Sequence, residues 1–124
     1  MTLAELTPEQ IRTMPPSREM DRLIAVALGV KLTNQLGNTG STFPTWPRPY
    51  STDHAAAMEA LERYCKAKPG REARLEFDTQ NGCSVTLWRD HKTIAAEVDE
   101  TTFGLPGLTL AISIAILLAE KGTP

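Results

Sequence analysis

Arg71 to Val98, REARLEFDTQNGCSVTLWRDHKTIAAEV, is the stretch whose reading decides the fold. Ala73, Leu75 and Phe77 alternate with Glu72, Arg74, Glu76 and Asp78, the period of two expected of a half-buried strand. Asn81-Gly82 is a hairpin signal, because both residues accept the positive φ that tight strand turns require. Cys83, Val85 and Leu87 continue the apolar face, a turn follows around Asp90 and His91, and Ile94, Ala96 and Val98 make a third strand. The expectation is a three-stranded antiparallel meander. Polar residues alternate on all three strands, which points to one solvated sheet face.

The flanking segments read as helices. Thr7-Pro8-Glu9-Gln10 combines an N-cap, a proline in the first turn and a glutamine placed for a capping box, so a short helix should run to about Thr13, where Pro15-Pro16 ends it. Ser17 caps a second helix whose Met20, Leu23, Ile24, Ala27 and Leu28 follow three-and-four spacing, with Gly29 as its stop. In Pro49 to Cys65, PYSTDHAAAMEALERYC, Ser51 or Thr52 should cap a central helix, with Asp53 favouring its positive end. His54, Met58, Leu61 and Cys65 form its apolar stripe, and Glu59–Arg63 and Glu62–Lys66 are favourable pairs four apart. A last helix from about Gly107 to Glu120 is apolar around nearly its whole circumference and must be covered on most sides. Its apolar run, Leu105 to Ala119, falls short of the roughly 20 residues a membrane span needs.

With 124 residues and 41% hydrophobic content, the chain fits one domain, residues 1–124. Thirteen Lys plus Arg against 15 Asp plus Glu give a formal charge of -2, so general attraction to nucleic acid or an anionic membrane is not expected. Cys65 and Cys83 are expected as buried thiols rather than a disulfide. The opening MTLAELTPEQ is acidic where a secretory signal would be basic, so a cytoplasmic location is expected.

The candidate site comes from residues 31–50, KLTNQLGNTGSTFPTWPRPY, a long loop with three prolines and no clear period. Phe43, Trp46, Arg48 and Tyr50 lead directly into Ser51, Thr52 and His54 at the helix start. Aromatic faces stack on bases, arginine pairs with phosphate, and free helix N–H groups attract anions. The alternative is that Trp46 and Tyr50 simply fasten the loop to the domain. Trp88, Arg89, His91 and Lys92 form a second aromatic and cationic group at the end of a hairpin, and the two groups make one pocket only if the fold brings them together. Ser51, Asp53 and His54 are the right types for nucleophilic catalysis, but neighbours on a helix start diverge rather than converge. His54, His91, Cys65 and Cys83 lack zinc-like spacing, so neither a metal nor a cofactor is expected.

Met20-Asp21-Arg22-Leu23-Ile24-Ala25, Tyr50-Ser51-Thr52-Asp53 with Ala55-Ala56-Ala57, and Leu110-Ala111-Ile112 with Ala115 and Leu117-Leu118-Ala119 resemble the small phage proteins grouped as the phage ABA sandwich domain. The resemblance covers Met20 to Ala119. It implies an α+β fold, an α-β-α sandwich built on the meander with three main helices, and a phage origin within a host bacterium. It supplies no catalytic residues. His54 and Thr109 depart from the family pattern, and the 31–50 loop is long for it.

Together these features lead to the expectation of a non-enzymatic phage accessory protein that binds a small anionic or nucleotide-like molecule, such as a host defence signal. The alternative is an interaction module that forms a homo-oligomer or holds a host protein through the last helix or the 31–50 loop. A small hydrolase using Asp53 and His54 is the third reading.

Overall fold

A computed structural model of the chain describes residues 2–30, 34–36, 42–44, 48–78, 82–101 and 104–121. In chain order the elements are a 3-10 turn at Leu3–Glu5, helices α1 (Pro8–Arg12) and α2 (Arg18–Ala27), short strands β1 (Asn34–Leu36) and β2 (Thr42–Pro44), helix α3 (His54–Ala67), strands β3 (Glu72–Asp78), β4 (Gly82–Trp88) and β5 (Ile94–Glu100), and helix α4 (Gly104–Lys121). The class is α+β, and the three long strands pair antiparallel in the order β3-β4-β5.

The meander follows the alternation. Leu75 pairs with Val85 and Val85 with Val98, while Ala73 pairs with Leu87 and Leu87 with Ala96, so one face is apolar across the sheet. The other face carries Glu72, Arg74, Glu76, Glu97 and Asp99, all exposed, around the half-buried Ser84, Thr86 and Trp88. Gly82 differs from expectation: it pairs with Asp78 as the first residue of β4, leaving residues 79–81 between the strands, and Asn81 lies outside the described residues. Its φ of 98° still requires glycine, the role an αL residue plays beside a longer hairpin loop.

Helix α4 lies between the apolar face of the sheet and helices α1, α2 and α3. It starts earlier than Gly107, because Pro106 falls in the first turn, where a missing N–H removes no helix bond. Its near-uniform apolarity matches this position: Leu108, Ala111, Ile112, Ile114, Ala115, Ile116, Leu117 and Ala119 are all buried. Each large aliphatic side chain contributes about 1.5–3 kcal/mol on burial. The buried Ser113 hydroxyl is satisfied by carbonyl oxygens of Tyr50 at 3.1 Å and Thr109 at 3.0 Å.

Local signals set the first helices as expected. Thr7 and Gln10 form a full capping box on α1. The Ser17 hydroxyl accepts the Met20 N–H at 3.1 Å at the start of α2. At the other end of α2, Val30 N–H reaches Ala25 O and Gly29 N–H reaches Val26 O, a Schellman stop with Gly29 at φ 77°. Within the 31–50 stretch, β1 and β2 pair antiparallel, and β1 falls within Val30 to Leu36, where the sequence leaves room for a short strand or hairpin.

The buried face of α3 matches the expected stripe only at Leu61. Ala56, Ala57, Ala60, Leu61 and Tyr64 are buried, whereas His54 and Cys65 are half-buried and Met58 is 36% exposed. Alanine scores weakly as a hydrophobe, yet its small side chain allows close helix approach, so the alanine face turns toward α4.

Beyond α3, Arg71 turns inward at 4% side-chain exposure. It donates to Tyr64 O and Glu120 Oε1, both at 3.1 Å, and its guanidinium lies 4.2 Å from the Tyr64 ring centre. This set ties the β3 entrance to the end of α4.

Candidate functional site

A buried carboxylate organises the approach to α3. Asp21 is 1% exposed on α2, and its Oδ1 accepts both the Ser51 N–H at 2.8 Å and the Ser51 hydroxyl at 2.7 Å. Its Oδ2 lies 3.2 Å from Arg18 Nη1. The Ser51 oxygen also accepts the Ser17 N–H at 3.1 Å. A buried charge needs this degree of pairing and hydrogen bonding to be tolerated.

Ser51 therefore does not cap α3, contrary to expectation, because its hydroxyl is committed to Asp21 and Ser17. Asp53 occupies the cap position without a side-chain cap bond, and helix residues begin at His54. Thr52 is exposed, and the Thr52 and Asp53 N–H groups both turn back to Pro49 O.

The structure divides the aromatic and cationic approach. Tyr50 is buried at 4% exposure, and that burial pushes its phenol above the usual range. It fastens the chain to the core; Trp46, the other residue of the alternative reading, lies outside the described residues. Arg48 is exposed and pairs with Glu59 on α3 at 3.1 Å. His54 Nδ1 lies 3.5 Å from Thr109 Oγ1 and is half-buried. Phe43 contributes backbone to β2, while its side chain and Trp46 lie outside the described residues. Tyr50 and Ser51 are thus taken up by the fold, leaving Arg48, Thr52 and His54 accessible to differing degrees.

The second group sits at the β4–β5 turn. Asp90 Oδ1 accepts the Lys92 and Thr93 N–H groups at 2.8 and 2.9 Å, and those backbone bonds hold its carboxyl below the usual range. His91 Nδ1 lies 2.7 Å from Glu72 Oε1. Glu72, Ala73, Arg74, Trp88 and His91 line a depression of about 410 Å³. Arg89 is exposed beside it and its N–H bonds Thr93 O. Among the described residues of the first group none lines this depression, and Arg48 is held on α3 by Glu59.

A second depression is a trough of about 720 Å³ between α3 and β3, lined by Ala55, Met58, Glu59, Leu61, Glu62, Cys65 and Ala73. Met58, Leu61 and Cys65 come from the stripe expected to face the core; Leu61 does so, while Met58 and Cys65 are left nearer the solvent side of the trough. Beside it runs β3, an edge of the three-stranded sheet. Glu72, Ala73, Arg74, Glu76 and Phe77 are exposed, and Phe77 reaches 61%.

The two sheet edges differ. On β5, Arg12 Nη1 donates to Glu97 O at 3.2 Å, a register shift interrupts pairing near Trp88, and Glu97, Asp99 and Glu100 concentrate negative charge. Such devices discourage another strand from adding. Along β3, pairing with β4 runs without a register shift, and the one cation, Arg74, lies 3.9 Å from Glu76 of the same strand. The apolar inner residues of β3 and its outer place in the meander were legible in the sequence, but the trough beside it was not.

Asp21 also went unrecognised as an organising residue. It falls among buried helix neighbours Met20, Ile24 and Ala25, and a carboxylate within an apolar stripe is the signal that marks it.

No protein-family model, curated protein or solved structure matches the chain. The resemblance to the phage ABA sandwich domain therefore rests on the residues quoted for it. Among the described residues, no helix is long and apolar enough to cross a membrane.

Proposed function

We propose that this protein is an interaction module that takes an extended protein strand onto the β3 edge. The supporting observation is the exposure of β3 beside the apolar trough, with Phe77 at 61% and Met58 at 36%. Main-chain bonding to the edge supplies affinity in this mode, and side-chain pockets supply selectivity. The surface differs from the last helix, since α4 is interior, and the side chains of residues 31–47 lie outside the described residues.

A photo-crosslinking residue at position 77, with a control at exposed Lys68, tests this reading in the cell of origin or an expression host. Protein adducts at 77 and none at 68 are expected. Equal labelling, or no adduct at 77, contradicts it.

A small anionic or nucleotide-like ligand is a second reading, favoured by Trp88, Arg74 and His91 around one depression. In the phage setting implied by the resemblance, such a ligand would be a sequestered host defence signal. Calorimetry against mono-, di- and cyclic nucleotides tests it. Heat that disappears in Trp88→Ala supports this reading, and absence of heat from folded protein removes it.

A further inference from the structure

We infer that the strand received by β3 is amphipathic and basic: an extended segment of a partner protein in which lysine or arginine alternates with apolar residues. The inference rests on the interaction reading above and adds the chemistry of the partner. It is carried by the way the two depressions meet at one residue of the edge strand. Ala73 lines both, the polar one with Glu72, Arg74 and Trp88, and the apolar trough with Met58 and Leu61.

Strand geometry explains why one residue borders two surfaces of opposite character, because successive side chains point to opposite faces. Glu72 stands directly opposite Trp88 on the open face of the sheet, whereas Ala73 stands opposite the buried Leu87 on the apolar face. Among the described residues, β4 is the one strand paired with β3, which leaves the other side of β3 to an added strand. Such a strand has the same period of two. Its side chains therefore pass alternately over the polar depression and over the trough.

The trough sets the apolar half of the pattern. A hydrophobic side chain placed there covers Met58 and approaches the exposed Phe77, which shares the face of Ala73, and takes apolar area out of water. Charge sets the other half. Among the described strand residues, the open face carries Glu72, Glu76, Glu97 and Asp99 against the single cation Arg74. The whole chain is nearly balanced at -2, so this excess of carboxylates belongs to the face. An anion approaching Arg74 meets Glu72 on one side and Glu76 on the other. A cation set beside Glu72 gains the carboxylate and the neighbouring Trp88 ring together. The present partners of these carboxylates, His91 at 2.7 Å from Glu72 and Arg74 at 3.9 Å from Glu76, form exposed pairs of the kind that exchange at little cost.

Fluorescence anisotropy of labelled synthetic peptides titrated with the full chain tests the inference. The probe is a seven-residue peptide, the length of β3, that alternates valine with lysine and has blocked ends. One control carries glutamate in place of lysine, and a second has the composition of the probe with valines and lysines grouped in two blocks. The alternating basic peptide is expected to bind about tenfold or more tighter than either control. Glu72→Arg combined with Glu76→Arg should abolish its advantage over the glutamate peptide, and Met58→Gln should weaken its binding severalfold. Circular dichroism checks that each variant is folded.

No binding of the alternating basic peptide overturns the inference, as does equal binding of the block peptide or a preference unchanged by the two charge reversals. If position 77 then still crosslinks to a protein, the strand-addition reading survives with a partner of different chemistry. If it crosslinks to nothing, both fail.

Discussion

Ser51 and Asp21 are thirty positions apart, yet two donors of Ser51 meet a single oxygen of Asp21, the hydroxyl at 2.7 Å and the N–H at 2.8 Å. The pair locks the turn before α3 onto the start of α2. Ser51→Ala should cost about 1–3 kcal/mol through loss of a bond to a buried charge. Asp21→Ala should cost more, since it strands the buried Ser51 N–H and removes a partner of Arg18, although the Ser51 hydroxyl keeps the Ser17 carbonyl at 3.2 Å. Urea denaturation reads both as lower midpoints. An Asp21→Ala midpoint equal to wild type contradicts the assigned role.

Arg71 and Glu120 form a second long-range tie, with side-chain exposures of 4% and 15% at a separation of 3.1 Å. Glu120→Ala leaves a buried guanidinium without its counter-charge and should cost about 3 kcal/mol or more. Replacing both residues with methionine should cost less than this single change, because no uncompensated charge remains. The comparison is made by denaturant unfolding, and a double variant less stable than Glu120→Ala argues against the electrostatic account.

Much of the architecture was legible because its signals are local. The capping box at Thr7–Gln10, the Ser17 cap, the Gly29 stop and the alternation through Ala73, Val85 and Val98 depend on residues close in sequence. Ser51 was misread because a cap competes with any stronger tertiary partner, and Asp21 comes from another helix. The face of α3 was misread because apolar scoring favours Met58 over Ala57, although close packing favours the reverse. The candidate site suffered most: the meander reading makes β3 an outer strand, but the trough beside it depends on how α3 packs, and no local pattern in β3 records that.

Gly82 should be far less replaceable than Gly29. A Cβ at Gly82 would collide with the Glu100 carbonyl oxygen, while one at Gly29 meets nothing within 4 Å. Both have positive φ. Gly29→Ala should cost about 1–2 kcal/mol from backbone conformation. Gly82→Ala adds displacement of β5 and should cost about 3 kcal/mol or more. Thermal unfolding separates them, and equal losses would contradict the close approach of Gly82 to the end of β5.

Alkaline pH should destabilise the fold. Burial raises the Tyr50 and Tyr64 phenols above their ordinary value of 10.0, and the Cys65 and Cys83 thiols above 9.0. The folded chain therefore holds these protons more tightly than the unfolded chain. Their stabilising contribution is fully present below the unfolded values and is lost as pH rises through the folded ones. Urea midpoints should fall from about pH 9 upward. Tyr50→Phe should flatten the portion above 10.0, and a midpoint constant through this range would contradict the burial argument.

The central claim is that the working surface is the β3 edge. Amide hydrogen exchange, resolved by residue and compared between the isolated protein and the complex captured through position 77, tests it most directly. β3 amides from Ala73 to Phe77 should gain protection in the complex, while β5 amides remain unchanged. Unchanged exchange along β3, or protection appearing instead on β5, would contradict the claim.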